Sequence, residues 1–352
     1  MLHRIIRIAV PVAAALALLL EGGCVRTDVL EPTEGTPIAF SAGNKLLRDD
    51  ATTKSTTDGF TVDGESFVVF GEKVTASETH STVFNGVTVS HTYLQNVDEW
   101  GYTTPRFWAW TSQSDRYDFV AVYPAGLSTV KEQSAGNITV STHYDYASNK
   151  EDLLAAVYRR TGADWASRYN SVPLTFHHMG SAVAVTVKNT SSNTNITVTS
   201  IYYKNLVVRA DAKVSPDVYG DAFLRWANPG FSEEDEIVRK LSKDENPTTI
   251  TPQTEYTGEY QIMIPQDLDM YEGYEGHLYL TYKVGDNPNL VTSDPIPLAG
   301  IKRADGTAIT SWRIGYKYTY TVSVRLDGGL LVTVTTTPWD EPVQGETPGI
   351  LI

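Results

Sequence analysis

Few side chains in this chain are placed to do chemistry, and the most telling is Cys24, the only cysteine. Its thiol follows an apolar run, where it can be acylated. With no second cysteine there is no intrachain disulfide, and no cysteine nucleophile lies inside a folded domain. His177 and His178 are adjacent, so on a strand their rings point to opposite faces and cannot chelate one metal together. The acidic runs SEEDE (residues 232–236) and YEGYE (residues 271–275) offer hard oxygen donors of the kind calcium takes. Neither has the alternating spacing of a dedicated calcium loop, and both read as solvated loops. HExxH, CxxC, GxSxG and glycine-rich phosphate loops do not occur. No nucleophile, base and oxyanion site can be assembled, so neither an enzyme nor a bound cofactor or metal is expected.

The flanks of Cys24 give its context. Arg4 and Arg7 precede the apolar run of residues 8–20, which ends in Glu21-Gly22-Gly23-Cys24, the layout of a secretory signal peptide. The run is shorter than the roughly 20 apolar residues a spanning helix needs. Its small-small-Cys ending resembles the lipobox of bacterial lipoproteins, with Glu21 where an aliphatic residue is usual and Leu20 one place further back. Residues 1–23 are therefore expected to be a lipoprotein signal peptide and Cys24 the lipidated N-terminus. Residues 24–35, polar and carrying Pro32 and Gly35, read as a tether between lipid and domain.

The chain of 352 residues carries a formal net charge of −14. Removing residues 1–23 takes away Arg4, Arg7 and Glu21, leaving the mature chain one unit more acidic. Such a surface repels nucleic acid, and no basic tract interrupts it. The length exceeds one ordinary core and predicts two domains.

From Thr36 onward the chain shows short alternating runs rich in Val, Ile, Thr, Tyr and Phe, among them PIAFSA, ESFVVFGEKV, DRYDFVAVYP, HLYLTYKV and YTYTVSVRL. Gly, Asn, Asp and Pro clusters separate them, which is the signature of strands and turns. Helical periodicity is almost absent; residues 151–158 (EDLLAAVY) fit a helix or a strand entering a loop. The pattern predicts an all-β protein with antiparallel sheets of sandwich type. In residues 181–188 Val183, Val185 and Val187 share one face and Ala182, Ala184 and Thr186 the other. The most polar break is residues 189–195 (NTSSNTN). It is expected to separate an N-terminal sandwich (residues 36–190) from a C-terminal one (residues 196–352).

Trp100, Tyr102, Phe107, Trp108, Trp110, Tyr117, Phe119 and Tyr123 crowd one short region. Exposed, they would form a platform for stacking sugars. The spacing of two within Trp100/Tyr102, Trp108/Trp110 and Tyr117/Phe119 instead lets each pair share one strand face and line a core.

WGYTTPRFWAW, then YDFVAVYPAG, then VPLTFHHMGSAVAVTVKN, and near the end ITSWRIGYKYTYTVSV followed by TPWDEP together resemble the fimbrillin family of Bacteroidales, subunits of type V pili. The resemblance implies two tandem transthyretin-like β-sandwich domains. It implies export as a lipoprotein to the outer membrane, then cleavage behind an arginine in the loop after the first strand by a trypsin-like or Arg-specific protease. Removing that strand opens a groove that a neighbouring subunit's strand, commonly C-terminal, fills by β-strand addition. The protein would then sit in an extracellular fimbrium, with other pilus subunits as partners and a host or bacterial surface ligand for adhesion.

The matching first strand is residues 37–42, with Ile38 and Phe40 facing the groove, and the matching arginine is Arg48, with Lys54 as a nearby basic alternative. The chain ends in Ile350-Leu351-Ile352, either a mobile donor tail or the closing strand of the second domain. Stalk, anchor and tip roles remain open at this level. The competing reading is a surface glycan-binding lipoprotein in which Trp100, Trp108 or Trp110 stacks on sugar.

Overall fold

The computed structural model describes residues 35–44, 65–94, 97–132, 138–145, 152–216, 224–231, 237–239, 246–269, 275–325 and 329–339. Cys24, Arg48, Lys54, the SEEDE run, Tyr271 to Tyr274, and Ile350 to Ile352 lie outside the described residues.

All regular structure among the described residues is β-strand, in four sheets. The first sheet has seven strands in the order β1 (Phe40–Asn44), β9 (Val172–His178), β8 (Leu154–Thr161), β5 (Arg116–Tyr123), β2 (Ser66–Val74), β3 (His80–Leu94) and β4 (Val97–Gly101). The second, of four, runs β13 (Leu224–Phe231), β12 (Val207–Val214), β7 (Thr139–Asp145) and β6 (Thr129–Glu132). The third, of five, runs β16 (Glu255–Thr257), β10 (Ser181–Asn189), β21 (Tyr316–Val324) and β22 (Leu330–Pro338), with β17 (Gln261–Met263) also on β10. The fourth, of six, runs β14 (Ile237–Arg239), β11 (Ile196–Lys204), β18 (His277–Val284) and β19 (Val291–Thr292), with β15 (Thr248–Ile250) on β11 and β20 (Ile296–Pro297) on β18.

The sheets pair into sandwiches through the alternation of their side chains. Val68 and Phe70 of β2 and Val120 and Val122 of β5 meet Val140, Ala210, Ala212 and Trp226 across the first interior. Val183, Val185 and Val187 of β10, with Tyr318, Tyr320 and Val322 of β21, meet Ile196, Ile201, Leu278 and Leu280 across the second. In β21 burial alternates strictly from Tyr318 to Val324, as a strand with one buried face requires. Of the run with two readings, residues 154–158 lie in a strand, β8.

Two pairings depart from the antiparallel expectation: β1 lies parallel to β9 and β10 parallel to β21. Both join strands far apart in sequence, so no tight hairpin dictates their direction. The expected division at residues 189–195 is a tight connection between β10 and β11. That stretch is a turn whose polar groups are consumed internally: Asn189 is fully buried and its Nδ2 donates to the carbonyls of Thr194 and Ile250 at 2.8 and 2.9 Å. Strands on both sides of it, β10 and β11, build the same core, while β12, further on, pairs back onto β7 of the first sandwich and β13 pairs onto β12.

The seven-stranded sheet is covered on both faces. Phe67, Val69, Phe119 and Ala121 point away from the first interior into a second apolar layer with Ile38, Phe40, Phe84, Trp108, Val172 and Leu174.

Candidate functional site

That second layer is where the first strand sits. Ile38 and Phe40 are 1% and 5% exposed, whereas Pro37, Ala39 and Ser41 between and beside them are exposed. The alternation expected of a groove-filling strand is present. Its hydrogen-bonded strand begins at Phe40, three residues later than the sequence pattern suggests. Ahead of it, Pro37 bridges to Phe107, because residues 36–38 pair with an irregular segment rather than with a sheet strand.

The plug is held from two sides. On one, β1 runs along the edge of β9 with Phe40 opposite Val172 and Ala42 opposite Leu174, and Val172 N–H donates to the Ala39 carbonyl at 2.8 Å. On the other, Ile38 N–H donates to the Arg106 carbonyl at 2.8 Å and Trp108 N–H to the Thr36 carbonyl at 3.0 Å. The Tyr102 hydroxyl donates to the Ile38 carbonyl at 2.6 Å. Burial pushes the Tyr102 hydroxyl pKa up, keeping it a donor at neutral pH.

The socket for Phe40 is aromatic. Its ring meets Phe84, Tyr102, Phe119 and Phe67 edge-on at centroid distances of 5.3, 5.9, 6.0 and 6.4 Å, the geometry that ring quadrupoles favour. Gly71 of β2 makes room for it: a Cβ there would stand 3.0 Å from Phe119 and 3.1 Å from Phe84. A larger residue would drive both rings toward the Phe40 seat.

The wall made by residues 106–112 is fastened by a buried polar network. Lys73 donates to the Ala109 carbonyl and lies 3.1 Å from Asp115 Oδ2. The same oxygen accepts from Thr111 N–H and its hydroxyl, both at 2.7 Å, and from Ser112 N–H at 3.2 Å. Burial acts to raise the Asp115 carboxyl, but the Thr111 donors and Lys73 outweigh it and hold it down at about 2. Ala109 N–H donates to the Tyr117 hydroxyl at 2.8 Å, and Trp110 Nε1 donates to the Arg168 carbonyl at 3.2 Å. The wall therefore has fastenings of its own besides its hydrogen bonds to the first strand.

Of the aromatics considered for sugar stacking, Trp108 is 2% exposed, and Trp100 and Trp110 are partly buried against the same layer. They line a core rather than a platform. His178 is buried and His177 half-buried, as their opposite facing requires, at the end of β9. Among the described residues no three His, Cys, Asp or Glu side chains gather to hold a metal. Lys73 and Asp115 escaped the sequence reading, as did the hydroxyl of Tyr102 as a donor to the first strand. The aromatic density signals the layer, but nothing local signals a buried lysine and aspartate that meet across a loop.

These features define a β-sandwich protein in which the segment of edge strand β1 buries Ile38 and Phe40 in an aromatic layer. The fimbrillin-like family model matches residues 53–339, so the chain belongs to the fimbrillin-like family. Membership carries a fimbrial or cell-adhesion role at the cell surface. The structure resembles that of a Bacteroides uniformis protein assigned to cell adhesion, at 16% identity, 86% of this chain and 98% of that one, with a TM-score of 0.46. It also resembles a Bacteroides ovatus protein so assigned, at 14% identity, 88% and 99% coverage and a TM-score of 0.47. The tip fimbrial protein Mfa3 from Porphyromonas gingivalis, with C-terminal truncation, matches at 10% identity, 79% and 95% coverage and a TM-score of 0.36. Among curated proteins none matches.

Proposed function

We propose that the protein is a structural subunit of a type V fimbria, exported as a lipoprotein through Cys24 and assembled by protease-triggered strand exchange. Cleavage behind Arg48 releases residues up to that arginine, and the segment ending in Ile350-Leu351-Ile352 of a neighbouring subunit takes the vacated seat. The lipid holds the precursor at the outer membrane until an Arg-specific protease acts, and the assembled fibre supports adhesion.

The observation that carries this reading is the attachment of the first strand. It is the end strand of its sheet, and two buried side chains, Ile38 and Phe40, fill a groove whose wall and floor have their own internal bonds. Each buried side chain contributes roughly 1.5–3 kcal/mol, enough to keep the intact precursor closed and within reach of replacement by a strand of equal character. Taking it away uncovers the β9 edge and an apolar slot, the arrangement that strand addition uses.

The test is to cut the folded, purified precursor with an Arg-specific protease and follow it by mass spectrometry and gel filtration. A chain beginning at Asp49 that enters polymers supports the proposal. A chain cut there that remains monomeric and retains residues 36–44 contradicts it.

A further inference from the structure

The last described strand raises a question that strand exchange leaves open: how much of the C-terminal region can leave its own domain. β22 is the edge of its sheet and buries little of itself. Leu331 is 61% exposed, and of its nine residues only Val334 is buried. Its backbone, however, is paired with β21 without interruption from Val324↔Leu330 to Tyr316↔Pro338.

The residue immediately after it is different. Trp339 is 3% exposed and its ring lies flat on His178, centroids 3.7 Å apart and planes 14° from parallel. Ala182 and Ile262 pack around it, Lys317 Nζ stands 5.9 Å from the ring centre, and Trp339 N–H donates to the Gly315 carbonyl at 2.7 Å. The indole Nε1 has no hydrogen-bond partner among the described residues, so stacking and burial hold the ring. His178 is itself fully buried, with Nδ1 2.6 Å from Asp152 Oδ2, and it belongs to the seven-stranded sheet through Leu154. A weakly packed edge strand thus ends in one large anchor seated on a residue of the other sandwich.

We infer that His178 and Trp339 are positioning residues for assembly: their stack clamps β22 into its own sheet and sets Trp339 as the boundary beyond which residues 340–352 donate. This rests on the strand-exchange reading above. The donor is then confined to residues after Trp339, and the second sandwich stays closed while it donates.

Hydrogen–deuterium exchange on the full chain tests it, comparing wild type with Trp339→Ala, Trp339→Phe and His178→Gln. Trp339→Ala should speed exchange of the β22 amides by at least about tenfold, the loss of the stacked ring pair before its burial is counted, with β12 unchanged. Trp339→Phe, which keeps a stack, should restore most of the protection, and His178→Gln should behave like the alanine variant. Unchanged β22 exchange, or acceleration spread evenly over both sandwiches, overturns the clamp. In assembled wild-type polymer the β21 amides that β22 covers should stay protected, and their loss of protection overturns the boundary at Trp339. A wild type that forms no polymer overturns the fimbrial reading and the donor boundary with it, whereas the stack is judged on the monomer.

Discussion

Replacing Phe40 with alanine should cost the intact precursor more than almost any other change outside the main cores. The ring is 5% exposed, so its truncation forfeits roughly 1.5–3 kcal/mol of transfer free energy. It also loses edge contacts to four rings, where each aromatic pair contributes about 0.5–1.5 kcal/mol beyond burial. The wall is braced by the Lys73–Asp115 network and cannot collapse into the gap, which keeps the loss near the ~3–5 kcal/mol typical of Phe→Ala in a core. Urea unfolding of the uncleaved chain, monitored by tryptophan fluorescence because Trp108 lies in the same layer, gives the difference. Ser41→Ala, at an exposed site of the same strand, should stay within about 0.5 kcal/mol. A Phe40→Ala loss below about 1 kcal/mol, indistinguishable from Ser41→Ala, would refute the groove-plug account, since the strand would then be resting on the sheet rather than seated in it.

Tyr102→Phe removes one donor to the Ile38 carbonyl and should lower stability by about 1 kcal/mol in the same urea measurement. Asp115 has a folded pKa of about 2 against roughly 3.9 unfolded. Its contribution is therefore complete above pH ~4 and lost as pH falls from there toward 2. Asp115→Asn should flatten that part of an acid-unfolding curve and be less stable than wild type at neutral pH. Trp108→Ala should cost about 3–5 kcal/mol as a core truncation and leave retention on glycan columns unchanged, whereas a sugar-binding role predicts lost retention with intact stability.

Much of the fold is legible in the residues. The alternation of β21 and the run of β2 announce strands whose partners must cover one or both faces. The spacing of Ile38 and Phe40 puts them on one strand face, and that this face meets a groove is what the fimbrillin resemblance implies. What the sequence does not carry is pairing between distant segments: nothing in PIAFSA names β9, nor does the valine face of β10 name a parallel β21. The stretch 189–195 is ambiguous in sequence for a physical reason, because the Asn, Ser and Thr that mark linkers are also the residues that satisfy a tight turn's backbone. Thr190, for instance, donates its hydroxyl to the Val324 carbonyl at 2.8 Å. Lys73 and Asp115 are equally silent in sequence, since their partnership exists only once the wall is folded over the sheet.

The central claim is that the first strand is a removable plug replaced by a neighbour's strand. Denaturing but unboiled gel electrophoresis of the outer-membrane fraction, wild type beside Arg48→Ala, with N-terminal sequencing of the mature band, tests it most directly. The account predicts a heat-dissociable ladder whose subunit begins at Asp49 and which the variant lacks. A single monomer band still carrying acylated Cys24 in both would contradict it.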